Sequence, residues 1–320
     1  MQKDSKIYVA GHEGMVGSAI IRELISQGYN NIVGRTHKEL DLRSQHMVEH
    51  FFSIEKPEYV FLAAAKVGGI MANMCQPADF LYDNILIEMN VMHAAWQNNC
   101  KKLLFLGSSC IYPKNSPIPI KESYLLSSPL EQTNEAYAIS KISGLKYCEY
   151  LNNQYGTNFI CVMPTNLYGV NDNYDLNNSH VIPALIHKMH CAKQSKLPQI
   201  TCWGDGSPLR EFMFADDFAN LCVLLTNCYN ENGLINAGSG EEISIKDLTL
   251  LVAEIIGYSG EINWDKTKPN GTYRKLLDTT KVKNIGWKTS IGLRNGLQIS
   301  YNDYLKRYTK KDRARGLFPY

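Results

Sequence analysis

The stretch Ile7-Tyr8-Val9-Ala10-Gly11-His12-Glu13-Gly14-Met15-Val16-Gly17 decides the fold. An apolar, β-branched run leads straight into glycines, and Val16, Ile20, Leu24 and Ile25 then recur at helical spacing. Between a strand and a helix, glycines spaced in this way let the backbone turn tightly and approach an anion. They also let the helix pack close to the sheet, with its N-terminal amides facing that anion. A glycine triplet alone is a weak signal, but its place between strand and helix makes this a dinucleotide-binding turn.

Further along, Asn31-Ile32-Val33, Tyr59-Val60-Phe61-Leu62-Ala63, Leu103-Leu104-Phe105-Leu106 and Phe159-Ile160-Cys161-Val162-Met163 read as strands. They are nearly continuous in apolar character, as in a parallel sheet covered on both faces. Alternation with helical segments predicts an α/β fold: a doubly wound parallel sheet of Rossmann type with a smaller C-terminal α/β substrate lobe. The first domain is expected over 1–170, with a return segment near 212–240, and the lobe mainly over 171–320. Turn signals at 204–206, 238–240 and 270–271 mark the second half as more irregular.

Composition narrows the class. With 33 basic and 31 acidic residues and a net charge of +2, nothing favours nucleic acid or an anionic membrane surface. No apolar run is long enough for a signal peptide or a membrane span, so no membrane association is expected. Nine scattered cysteines without a CxxC pair argue against zinc or a disulfide framework and for a reducing, cytoplasmic setting. Except for Cys110, the cysteines read as inert small core residues. His187 and His190 have metal-like spacing but lack further ligands. They read as surface residues on a helix, and no metal is expected. The basic tail from Lys306 to Arg315 reads as a solvated helix end.

After the second strand comes Gly34-Arg35-Thr36-His37, with no acid until Glu39. A cation there, rather than an acid holding a ribose 2′-hydroxyl, suits a 2′-phosphate and favours NADPH over NADH. Asp41 and Leu42 would lie near the adenine. Tyr137-Ala138-Ile139-Ser140-Lys141 places a phenol and an ammonium on one helical face. In that arrangement Lys141 is expected to lower the phenol pKa and to hold the nicotinamide ribose. Tyr137 would exchange a proton with the substrate oxygen as hydride moves. The fourth strand ends in Gly107-Ser108-Ser109-Cys110, at the crevice where ligands of such sheets bind. Ser108 is the preferred partner of the same oxygen, and Cys110 could reach the carbon beside a carbonyl.

From about residue 6 to about residue 300 the chain resembles the GDP-L-fucose synthase family of extended short-chain dehydrogenases. The resemblance is carried by Gly11-His12 through Ala19, Leu62 through Ile70, Leu103 through Pro113, Met163 through Gly169, Asn178 through Leu185, and Arg274 through Asp278. It implies NADPH/NADP as cofactor, a GDP-sugar as substrate and a homodimer. Cofactor contacts would come from Gly11, His12, Gly14, Met15, Val16, Gly17, Arg35, His37, Asp41 and Leu42. Others would come from Leu106, Gly107, Ser109, Lys141, Pro164, Asn166, Leu167 and His180. Ser108, Cys110, Tyr137, Lys141 and His180 match the catalytic positions, with Cys110 and His180 paired in epimerisation. Read without the resemblance, His180 is more simply a satisfied buried polar contact. Lys188, Trp203 and Arg210 match residues that hold the sugar nucleotide. Two positions depart: Glu13 stands where the family commonly has arginine, and Asn270 where it has aspartate.

The implied reaction is 3,5-epimerisation and 4-reduction of GDP-4-keto-6-deoxy-D-mannose. A homologue acting on another GDP-4-keto-sugar such as a heptose, or only reducing, is the nearest rival. A 4,6-dehydratase would need a carboxylic acid where this chain has Cys110 and Ile111. A non-catalytic nucleotide sensor would not need both Tyr137 and Lys141.

Overall fold

Ile7–Ala10 (β1), Met15–Ser26 (α1), Ile32–Val33 (β2), Gln45–Glu55 (α2), Tyr59–Leu62 (β3), Ile70–Cys75 (α3), Pro77–Gln97 (α4), Lys102–Leu106 (β4), Glu135–Tyr155 (α5) and Phe159–Pro164 (β5) follow in order along the chain. Then come Asn166–Tyr168 (β6), Val181–Gln194 (α6), Gln199–Trp203 (β7), Leu209–Phe214 (β8), Ala215–Cys228 (α7) and Leu234–Ala237 (β9). Glu242–Ser244 (β10), Ile245–Ile256 (α8), Glu261–Asp265 (β11), Arg274–Lys275 (β12), Thr280–Asn284 (α9) and Leu293–Thr309 (α10) complete the set. The structure, a computed structural model, describes residues 1–176, 178–268 and 270–309.

The main sheet runs β2-β1-β3-β4-β5-β9 with every pairing parallel. This is the doubly wound α/β sheet that the sequence predicts. Its strands are apolar throughout because both faces are covered. Tyr8, Val60, Leu62, Leu103, Phe105, Phe159 and Cys161 join one core with residues of α2, α4 and α5. Their neighbours Ile7, Val9, Phe61, Leu104, Ile160 and Val162 join the opposite core with α1 and α7. The period-two alternation of a strand thus serves two interiors. The chain reverses direction across the sheet between β1 and β3, and the crevice beyond their carboxyl ends is where such sheets bind ligands.

A smaller sheet, β10-β8-β12 with β6 also on β8, and a two-stranded β11-β7 pair stand beyond that edge. A third core joins them to α6, α8 and α10. The two parts interleave, since α7 and β9 return to the main sheet after β8.

His190 is 3% exposed and bonded to Tyr301 at 3.0 Å, and His187 is half-buried with Tyr304 at 2.9 Å. Both therefore belong to the packing of α6 on α10 rather than to the surface. Cys75 and Cys228 are exposed and Cys191 is half-buried, so not all of the remaining thiols are core residues. In the basic tail, Arg307 is part-buried on Asp303 and Asn171 rather than solvated. Lys310, Lys311, Arg313 and Arg315 lie outside the described residues. Among the described residues no helix is long and apolar enough to cross a membrane.

Candidate active site

The glycine turn is built for close approach. Gly11 has φ +80°, and a Cβ there would stand 2.8 Å from the backbone of Ala64. A Cβ on Gly17 would collide with the Gly11 carbonyl oxygen, so α1 packs against the turn only with glycine at that position. Gly14 caps α1, and its N–H donates to Gly11 O at 2.9 Å. Met15, Val16 and Leu167 pack against the α1-side core. The exposed Glu13 has its carbonyl bonded by the Asn171 amide at 2.6 Å.

At the end of β2, Arg35 donates to Gly34 O at 2.8 Å and to Glu55 Oε1 at 2.5 Å, with its guanidinium over the Phe51 ring. Of its five donors, these bonds engage one on each terminal nitrogen, leaving others for a phosphate. Glu55 in α2, which also pairs with Lys6, had no sequence signal because the contact spans 20 residues. His37 is exposed, 3.8 Å from Asp41 Oδ1. The Arg43 guanidinium beside Asp41 holds that carboxyl down at about 2. Leu42 is buried, and Asn90 bonds its carbonyl.

Ser108 caps a short turn at 109–111, its Oγ accepting from Cys110 N at 3.2 Å, and α5 packs against that turn. Ser108 also faces the Tyr137 hydroxyl, whose pKa it lowers. The Cys110 sulfur accepts from Asn134 Nδ2 at 3.1 Å and lies 3.8 Å from Lys275 Nζ. Lys275 is the register partner of Arg210 across β12 and β8, so the smaller sheet delivers two cations toward the thiol. A small cavity here is lined by Cys110, Tyr112, Glu131, Asn134, Arg274 and Lys275.

Lys141 departs from the sequence expectation. Its ammonium is buried, 3.1 Å from Glu88 Oε1 and donating to Leu106 O at 3.0 Å. Burial, the neighbouring Cys110 and Glu88 raise the Tyr137 pKa above its ordinary value, and only the Ser108 bond opposes them. Glu88 thus stands between the expected effect of Lys141 and the phenol, pairing with the ammonium while itself raising the Tyr137 pKa. Glu88 itself is pushed up to about 7 by burial, against the attraction of Lys141.

His180 stands just before α6, after a segment held to the β3–α3 loop by the Gly69 N–H bonding Asn178 O at 3.1 Å. Its ring is not a satisfied buried contact: the residue is exposed, and only its backbone carbonyl, which accepts from Ala184 N at 3.1 Å, is hydrogen-bonded among the described residues. Enough protein still surrounds it for desolvation to lower its imidazole pKa. Lowering makes its protonated form a stronger acid.

Toward the smaller sheet, Lys188 donates to Thr201 O at 2.7 Å, and Trp203 is 48% exposed with Lys268 Nζ 5.7 Å from its ring. Arg210 donates to Leu209 O at 2.8 Å and approaches Tyr273 O and Asn270 O. Asn270 Oδ1 accepts from Asp205 N at 3.1 Å, a role an aspartate could also fill. Asn166 and Thr165 bond the carbonyl of the buried Glu211, whose carboxylate accepts from Gly240 N and Leu277 N. Pro164, Leu106, Gly107 and Ser109 line up at the strand ends of β5 and β4. Structure thus brings Ser108, Cys110, Tyr137, Lys141 and Arg210 to one edge. No hydrogen bond joins Lys188 or Trp203 to that group among the described residues.

A Rossmann-type sheet with a glycine turn and a Tyr–Lys pair on α5 defines an extended short-chain dehydrogenase/reductase. Residues 7–238 match the NAD dependent epimerase/dehydratase family, and the chain belongs to it. It is 54% identical to GDP-L-fucose synthase 1 of Arabidopsis thaliana over 95% of this chain and 94% of that one. Identity to the GDP-L-fucose synthase of Escherichia coli strain K12 is 47%, covering 97% of this chain and 99% of the other. A solved GDP-mannoheptose C4 reductase from Campylobacter jejuni with NADP bound superposes with a TM-score of 0.86 at 39% identity, covering 95% and 99% of the two chains.

Proposed function

We propose that the protein converts GDP-4-keto-6-deoxy-D-mannose to GDP-L-fucose by 3,5-epimerisation followed by NADPH-dependent 4-reduction. The observation that carries this reading is the convergence of Cys110, Ser108 and Tyr137 at one strand end. A base and two oxygen-binding hydroxyls are what a ketone-centred epimerase and reductase must share. The identity to GDP-L-fucose synthases along nearly the whole chain supports it.

Residues 1–170, with the return segment near 212–240, would form the NADP-binding domain, and 171–320 mainly the substrate lobe. The N-terminus of α1, opened by Gly14 with no side-chain cap and no acidic residue in its first turn, fits a diphosphate. Gly11 to Gly17 would hold that group, Arg35 and His37 the 2′-phosphate, Asp41 and Leu42 the adenine side, and Lys141 the nicotinamide ribose. Leu106 to Ser109, Pro164 to Leu167 and His180 would border the nicotinamide. When bound, NADPH supplies the hydride that reduces C4. Cys110 takes a proton from the carbon beside the ketone, and His180 returns one to the opposite face. Tyr137 and Ser108 stabilise the enolate oxygen, and Tyr137 then protonates the same oxygen during reduction. Arg210 clamps the diphosphate, Trp203 offers a flat face, and Lys188 and Asn270 border the sugar nucleotide. The protein acts in the cytoplasm as a homodimer.

NMR of the product formed from GDP-4-keto-6-deoxy-D-mannose and NADPH tests the activity. GDP-L-fucose supports it; a product of D configuration makes the enzyme a reductase only. Arg210→Ala is expected to raise the sugar-nucleotide KM at least tenfold, the scale of one lost charge-assisted bond, with the cofactor KM nearly unchanged. An unchanged substrate KM removes Arg210 from the diphosphate. Arg35→Ala should lower kcat/KM for NADPH about tenfold while leaving NADH untouched. Equal losses with both cofactors would mean that Arg35 does not read the 2′-phosphate.

A further inference from the structure

Glu88 lies where stability alone would favour an apolar side chain. On α4 the buried residues Phe80, Asn84, Glu88, Val91 and Ala95 form one stripe against the core, and Glu88 is fully buried within it. A buried ion pair is commonly no more stabilising than well-packed hydrocarbon, so its presence calls for another role. The carboxylate reaches Lys141 Nζ at 3.1 Å, and neither oxygen has another hydrogen-bond partner among the described residues. The surroundings are shaped to admit it. A Cβ on Gly144 of α5 would collide with Glu88 Oε2, and with Phe105, over whose ring Lys141 Nζ sits at 4.8 Å.

We infer that Glu88 is a positioning residue, which anchors the Lys141 ammonium and thereby sets the charge beside the Tyr137 hydroxyl. The inference rests on the proposed reduction, in which Tyr137 is the acid. The groups facing this phenol are Ser108 and Cys110 from the turn after β4, Lys141 from its own helix, and Glu88 and the Phe80 ring from α4. Facing Glu88 are Lys141 of α5 and, at longer range, Cys161 of β5. Anionic Glu88 opposes phenolate directly and also pairs with the Lys141 ammonium that would favour it. Both effects keep the proton on Tyr137 until a substrate oxygen takes it. Without that charge the phenol pKa falls, and reduction is lost at a lower pH.

The test is the pH dependence of kcat/KM for NADPH oxidation in wild type, Glu88→Gln and Glu88→Asp, with Tyr137→Phe as control and thermal midpoints recorded. In Glu88→Gln the alkaline limb should move toward neutrality by about one pH unit or more, the usual effect of one close charge. In Glu88→Asp the charge remains but is drawn back, so the limb should stay and kcat should fall about tenfold. A purely structural residue would lower the whole curve without moving its limb. A Glu88→Gln limb coinciding with wild type overturns the inference. So does an unchanged kcat in Glu88→Asp, which decides the matter alone if the glutamine variant does not fold. If wild type does not reduce the keto-sugar, or Tyr137→Phe reduces it normally, the functional reading fails instead.

Discussion

In Cys110→Ser, solvent deuterium should cease to enter C3 and C5 of the keto-sugar, while hydride transfer to C4 continues. Proton abstraction beside a carbonyl needs a base. A serine hydroxyl is far less acidic than a thiol and is rarely ionised at neutral pH. Losing a positioned general base costs roughly a hundredfold to ten-thousandfold in rate. Asn134 Nδ2 at 3.1 Å and Lys275 Nζ at 3.8 Å remain to orient the new oxygen, so the change isolates the chemistry of the sulfur. Tyr137, Lys141 and Ser108 are untouched, and direct reduction should then give GDP-D-rhamnose or its C4 epimer. Mass spectrometry and NMR of products formed in deuterium oxide read both results. GDP-L-fucose with deuterium at both carbons would place the base elsewhere, and His180 would be the next residue to test.

Tyr137→Phe should act in the reverse sense. Reduction loses its acid and should fall by roughly a hundredfold to ten-thousandfold. Exchange at C3 and C5 should slow by less, about tenfold to a hundredfold, because Ser108 still serves the enolate oxygen. The variant leaves the 109–111 turn intact, since Ser108 caps it through Cys110 N and not through the phenol. Comparing isotope incorporation with NADPH oxidation separates the two rates in one incubation. Equal loss of both would mean that Tyr137 contributes only to the shared enolate step.

The sequence makes the scaffold readable where chain order and chemistry coincide. Gly11 to Gly17 follow a strand at once, and Tyr137 and Lys141 share a helix face, so local spacing announces both. Features set by distant packing stay hidden. Glu55 meets Arg35, and Lys275 reaches Cys110, only once the sheets have formed. Glu88 does carry a local signal: it lies in step with Phe80, Asn84 and Val91, at the spacing of a buried stripe. His187 and His190 mislead in the same way, because a polar residue on a helix resembles a surface residue until Tyr301 and Tyr304 close over it. The YxxxK pattern shows Lys141 beside Tyr137 but not Glu88, the buried partner that meets the ammonium only in the fold.

If one oxygen site serves two reactions in sequence, the deuterium count of a single product reveals it. The wild-type protein is incubated in deuterium oxide with GDP-4-keto-6-deoxy-D-mannose and NADPH, and the product is read by NMR and mass spectrometry. The expected product is GDP-L-fucose with solvent deuterium at both C3 and C5 and hydrogen from NADPH at C4. A reduced product of D configuration, with no deuterium at C3 or C5, would contradict it.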